Sequence, residues 1–239
     1  MHRKNGPAKA FYFKQFQIEH DRCAMKVGTD GVLLGAWANV ENRKCILDVG
    51  TGSGLIALMV AQRSNAQPNI EAIEIDHESF VQACENIEAS LWKDRIKIFH
   101  SALQTFQPEQ AYDLIVCNPP YFVNSLKPEN NSRATSRHSD HLPFFELIQF
   151  AKNHLTDNGS LQLVLPVVEG SNLIQLAAKE SLFCNRKTDV TTRPGKPVER
   201  VLLEFTRHSI PTTKATLTLE NENGERTKEF QQLVEDFYL

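Results

Sequence analysis

Two stretches of this 239-residue chain carry residue types suited to chemistry. The first is Asp48-Val49-Gly50-Thr51-Gly52-Ser53-Gly54, with Glu74 further along. The G-x-G-x-G spacing departs from the dinucleotide fingerprint, and Leu55-Ile56 stands where a phosphate-binding loop needs Lys-Ser/Thr. What the turn offers is a backbone that a ligand can approach closely, because glycine accepts φ > 0 and has no Cβ. Glu74 ends the next strand-like run, where a carboxylate can accept hydrogen bonds from both hydroxyls of a ribose. Together they point to a nucleoside-bearing ligand; an ordinary βα turn beside a solvated acid is the plainer alternative. The second stretch is Asn118-Pro119-Pro120-Tyr121, which halts the apolar run Leu114-Ile115-Val116-Cys117. Proline donates no backbone hydrogen bond and fixes φ, so the run cannot continue as a central strand. It ends in a rigid corner made of an amide, carbonyls and an aromatic ring.

Elements must hold these stretches in place. Cys45 to Val49 reads as a buried strand and Leu55 to Arg63 as an apolar helix. Ile70 to Ile75 is a second strand, Ser79 to Leu91 a helix, Arg95 to Phe99 a third strand and Tyr112 to Cys117 a fourth. Phe144 to His154 is helical, Leu161 to Leu165 follows an Asn158-Gly159 turn as a fifth strand, and Val198 to Phe205 is another. Such alternation predicts a mainly parallel sheet covered on both faces, with ligands at the carboxyl ends of its strands. The polar span from Asn124 to His141 predicts a long mobile loop leaving the Asn118 corner.

Composition bounds the rest. The five cysteines lack any CxxC pair, which predicts reduced, mostly buried thiols, a cytoplasmic location and no metal site. No apolar run approaches the ~18 residues of a membrane span, and MHRKNGPAKAF has no apolar signal core. A net charge of −3 gives no global nucleic-acid signal, so RNA binding would rest on local patches.

The arrangement resembles the class I S-adenosylmethionine-dependent methyltransferases: DVGTGSG matches their first motif and Glu74 their second. The resemblance implies a Rossmann-like α/β fold with a mainly parallel seven-stranded sheet and S-adenosyl-L-methionine as cofactor. Asp48, Gly50, Gly52, Gly54, Glu74 and Asn118 would then hold the cofactor. Where that family usually has an acid beside the adenine amino group, this chain reads His100-Ser101-Ala102-Leu103, so Ser101 or a backbone group must serve. Asn118-Pro119-Pro120-Tyr121 matches the D/N-P-P-Y/F/W motif of members that methylate amino groups. There the Asn118 side-chain oxygen and the Pro119 carbonyl would accept the two N–H hydrogens of the target amine, and Tyr121 would stack on the base. Adenine N6, cytosine N4 and a glutamine amide all present such a group. A protein glutamine N5-methyltransferase acting on release factors and an rRNA adenine N6-methyltransferase are therefore alternatives. The glutamine enzymes carry a sizeable helical domain before the glycine motif, whereas only 47 residues precede it here.

The run from Phe16 to Trp37, with "MKVGTDGVLLGAW", the NPPY corner and the closing Phe237-Tyr238-Leu239 resemble the bacterial tRNA1(Val) (adenine(37)-N6)-methyltransferase family over essentially the whole chain. The resemblance implies N6-methylation of adenine 37 of that tRNA. It also implies the anticodon stem-loop as partner, no obligate protein partner, and Lys26, Thr29 and Asp30 near the methionine end of the cofactor. Capping of a helix from Val32 to Ala38 is the alternative for Thr29-Asp30-Gly31. Lys127, Arg133, Arg137, Arg193 and Arg200 are candidate phosphate contacts, within basic stretches that also include Arg186, Lys187, Lys196 and Arg207. The loop 124–141 is expected to order when RNA binds. Residues 1–43 are expected to contribute to the cofactor and RNA site, 44–207 to form the methyltransferase core, and 208–239 to add a supporting strand and helix.

Overall fold

The computed structural model describes residues 10–119 and 144–239. A two-stranded antiparallel sheet opens the chain, β1 (Ala10–Tyr12) with β2 (Gln17–Glu19). Helix α1 (Thr29–Trp37) follows, then β3 (Cys45–Val49), α2 (Leu55–Arg63), β4 (Asn69–Glu74), α3 (His77–Glu88), β5 (Ile96–His100) and β6 (Tyr112–Cys117). The second half runs α4 (Phe144–His154), β7 (Leu155–Pro166), α5 (Val167–Lys179), β8 (Phe183–Thr191), β9 (Arg200–Thr206), β10 (Thr213–Thr218) and α6 (Lys228–Val234).

Among the described residues the main sheet has eight strands, in the order β10-β8-β9-β7-β6-β3-β4-β5. Neighbours are parallel except at β9, which runs antiparallel to β7 and β8. The expected seven strands are corrected to eight, because β10 pairs along β8 and extends the sheet by one edge. Strand alternation sends Ile46, Leu114, Val116, Val164 and Leu202 to one face, where they pack with α1, α2 and α6. Leu47, Val49, Ile115, Cys117, Leu163 and Leu203 face the other way, onto α4 and α5.

Two elements of the second half escape a reading of the sequence, for different reasons. Helix α5 carries Gly170 in its first turn, which looks like a breaker. A β-carbon there would stand 2.3 Å from a Val201 methyl, so glycine lets the helix lie close on the sheet. Strand β8 (FCNRKTDVT) lacks a run of apolar residues because its arginine, lysine and aspartate make side-chain pairs over the sheet surface.

The N-terminal segment is fastened at both ends. Phe11, Phe13 and Phe16 form an aromatic cluster with Tyr238, and Lys14 N–H donates to the Phe237 carbonyl at 2.8 Å. On α3, Asn86 accepts from Glu19 N–H at 2.9 Å and donates to the carbonyls of Glu19 and Ser53. One buried amide therefore ties β2, α3 and the glycine turn together, and the residues after β2 are led over the ends of β3 and β4.

Candidate active site

The glycine turn owes its shape to its backbone. Gly50, Gly52 and Gly54 have φ of 68°, 57° and 84°, in the left-handed region that favours glycine. A β-carbon on Gly50 or Gly52 would meet nothing within 4 Å, so those two face open space. Gly54 differs: it caps α2, and its added β-carbon would touch Ala83 and Ile87 at 3.6 Å.

Beneath the turn, Asp48 is fully buried. Its Oδ2 accepts from Thr51 Oγ1 at 2.6 Å and from Ala57 N–H at 3.1 Å, joining the turn to the start of α2. Burial pushes its carboxyl up to about 7, against the pull of those two hydrogen bonds. Glu74 is the second buried acid. Its Oε2 accepts from Gly52 N–H at 2.8 Å, while Oε1 accepts from Ile75 and Asp76 N–H at 2.8 and 2.9 Å. A carboxylate offers about four acceptor positions, so Oε2 keeps capacity for a further donor.

A cavity of about 510 Å³ lies at the carboxyl ends of β3, β4, β5 and β6. Of the residues singled out from sequence, Gly50, Gly52, Glu74, Ser101, Asn118 and Pro119 line it. Cys23, Ala24 and Met25 form a wall from the N-terminal segment, and Ile75, Asp76, His77 and Gln104 line other parts of it. Sequence pattern does not mark these lining residues; the signal for Cys23 to Met25 is their place within the run from Phe16 to Trp37. Cys117, read as core, is fully buried and also lines the cavity; burial holds its thiol well above the usual range.

Several residues expected to hold the cofactor stand outside the cavity lining. Lys26 turns back on its own loop, donating to the carbonyls of His20 and Asp21 at 2.7 and 3.1 Å. Thr29 and Asp30 lie in the first turn of α1, outside the cavity lining, and the cap of that helix is Gly28 without a side-chain bond. Asp30 is ion-paired with Arg200. Asp48 and Gly54 act from beneath and behind the turn, because one is sealed under it and the other packs on α3.

Several basic side chains expected to meet RNA have partners within the fold. Arg193 pairs with Glu220 at 2.8 Å, Arg200 with Asp30 and Glu199, and Lys187 with Asp189. Arg186 lies 3.4 Å over the Trp37 ring and pairs with Glu204, while Arg207 donates to the carbonyls of Lys152 and Leu155. Those side chains are engaged within the fold. Tyr121, Lys127, Arg133 and Arg137, like the loop 124–141, lie outside the described residues.

A glycine turn with open space above it, a buried carboxylate with spare acceptor capacity and an amide–proline corner share one cavity. That combination suits a ligand with a ribose, set beside an amine. Residues 27–174 match the family model described as the methyltransferase small domain. A crystal structure from Agrobacterium tumefaciens, described as a predicted O-methyltransferase, has the same fold. Its TM-score is 0.68 at 19% identity, over 87% of this chain and 96% of that one. The glycopeptide N-methyltransferase MtfA in complex with S-adenosyl-L-methionine matches with a TM-score of 0.54 at 11% identity, over 77% of this chain and 100% of that one. The class is thereby that of the methyltransferase fold.

Curated relatives narrow it further. The tRNA1(Val) (adenine(37)-N6)-methyltransferase of Trichodesmium erythraeum is 47% identical over 96% of this chain and 97% of its own length. Those of Photorhabdus laumondii and Yersinia pestis are each 44% identical over 96% of this chain, covering 95% and 93% of the relatives. The chain belongs to this family of methyltransferases.

Proposed function

We propose that this protein transfers a methyl group from S-adenosyl-L-methionine to N6 of adenine in tRNA, at position 37 of tRNA1(Val), beside the anticodon. The observation that carries the reading is the meeting of Asn118 and Pro119 with Gly50, Gly52 and Glu74 around one cavity. Relatives of that name, near 45% identity over almost the whole chain, support the substrate. The anticodon stem-loop is the partner this implies. Among the described residues no helix is long and apolar enough to cross a membrane, which accords with work on tRNA in the cytoplasm.

The residues fit the cofactor. The open faces of Gly50 and Gly52 would admit it against the backbone, Glu74 Oε2 would accept from its ribose, and Ser101 or a backbone group would meet its base. When bound, it supplies an electrophilic methyl on a sulfonium sulfur. The protein's part is to prepare the amine. An exocyclic amino group is a poor nucleophile because its lone pair is delocalised into the ring. The Asn118 side-chain oxygen and the Pro119 carbonyl accept its two N–H hydrogens, which turns the lone pair out of conjugation. Acceptors fixed on a proline corner need little reorganisation in the transition state. Tyr121 supplies a stacking face for a base taken out of the loop, and the amine's extra proton leaves to solvent.

The test is methyl transfer from labelled S-adenosylmethionine to tRNA from a strain lacking this gene, followed by digestion to nucleosides. Label in N6-methyladenosine, mapped beside the anticodon, is expected. Label in a glutamine-bearing protein and none in tRNA would move the function to the glutamine alternative and leave the fold assignment intact.

A further inference from the structure

Asp30 and Arg200 attract notice in the sequence for unrelated reasons, one as a cofactor ligand and the other as a phosphate contact. The fold joins them to each other. Asp30 lies in the first turn of α1, and its carboxylate is ion-paired with the guanidinium of Arg200, the first residue of β9. Arg200 stands opposite Pro166, the last residue of β7, so the pair spans the carboxyl edge of the sheet next to β6. The two side chains are 16% and 31% exposed, and Glu199 also pairs with the guanidinium, at Nη1, at 2.9 Å. An acid in the first turn also suits the helix dipole.

The next residue, Gly31, faces the catalytic corner. A β-carbon there would stand 3.7 Å from Asn118 Nδ2 and 3.1 Å from a Leu55 methyl. The first turn of α1 therefore lies close beside the Asn118 amide and the first residue of α2, with glycine leaving no room for a side chain between them. The pairing of β6 with β3 runs to Cys117, which puts Asn118 just past that ladder. There, the first turn of α1 is its near neighbour.

We propose that the Asp30–Arg200 ion pair is a positioning strut: it presses the first turn of α1 against Asn118 and so sets the attitude of the amide toward the target amine. Its residues act through Asn118 and touch neither cofactor nor RNA phosphate. The proposal rests on the role given to Asn118 above. Since misplacement by about 1 Å can cost about 10²-fold in rate, a loosened strut reads out in kcat.

The experiment is a double-mutant cycle on the full-length protein with Asp30→Asn, Arg200→Met and the two combined. It measures kcat and KM for tRNA, cofactor Kd by calorimetry, and Tm. Each single change is expected to lower kcat on the order of 10-fold and leave cofactor Kd within about twofold, with the double variant no worse than either single. Should Arg200→Met unfold the chain, Arg200→Lys takes its place and is expected to retain part of kcat. Multiplying losses in the double variant would overturn the strut. So would a raised KM for tRNA with a salt dependence weakened by about one phosphate after Arg200→Met, or a weakened cofactor Kd after Asp30→Asn. If the wild-type protein methylates a glutamine-bearing protein instead, the RNA reading fails alone. The same cycle on that acceptor then decides the strut.

Discussion

In the half of the sheet made of β5, β4, β3 and β6, the acids at the strand ends are held by backbone N–H groups: Asp48 by Ala57, Glu74 by Gly52, Ile75 and Asp76. In the half made of β7, β9, β8 and β10, the arginines are held by acids and carbonyls: Arg186 by Glu204, Arg193 by Glu220, Arg207 by Lys152 and Leu155. Both halves use charge to fix loops and strand ends. They differ in what is left over. Glu74 lines the cavity with acceptor capacity in hand, whereas each of these arginines has at least one partner inside the chain. Residue type alone does not say which charges the fold has already partnered.

The largest test of this contrast falls on Asp48, whose carboxyl sits near 7 against an ordinary 3.8 because it is buried. Between those values the folded chain keeps a proton that the unfolded chain releases, so stability falls as pH rises through that window. The contribution is whole below 3.8 and lost above 7. Asp48→Asn should remove this slope, so that the wild-type-minus-variant difference in urea-unfolding free energy drifts by up to ~4 kcal/mol between about pH 4 and 7. Parallel curves for the two proteins would mean that the hydrogen bonds from Thr51 and Ala57 offset burial and keep Asp48 ionised.

Asn118→Ala comes next, with kcat expected to fall at least ~10²-fold and cofactor affinity nearly intact. Undiminished single-turnover rates would remove the amide from the chemistry. In the other half, Arg186→Ala strips a cation–π contact and an ion pair from Trp37 and Glu204. It should cost about 2 kcal/mol in denaturant midpoint experiments and leave the KM for tRNA unchanged. A raised KM with undisturbed stability would break the contrast. The smallest effect belongs to Arg193→Ala, an exposed pair expected to change stability by less than about 0.5 kcal/mol. Its tRNA affinity, followed against salt, should track the wild type.

Much of the site is legible in the sequence alone. Gly50 and Gly52 are readable because their left-handed backbone excludes other residues locally, and Asn118-Pro119 because proline stops a strand wherever it stands. Gly170 shows the converse: its reason is a Val201 methyl from another strand, which no local pattern reveals. The same holds for Arg186, whose charge reads as surface until Trp37 is placed beneath it.

What the sequence determined by itself is therefore the strand–turn–helix units and the residue types at their ends, since backbone dihedrals and hydrophobic period act over a few neighbours. What only the tertiary structure decided is which charges remain to meet a ligand. Asp30 and Arg200 lie far apart along the chain and form one pair across it. Ion pairing depends on distance in space, and the fold alone sets that distance.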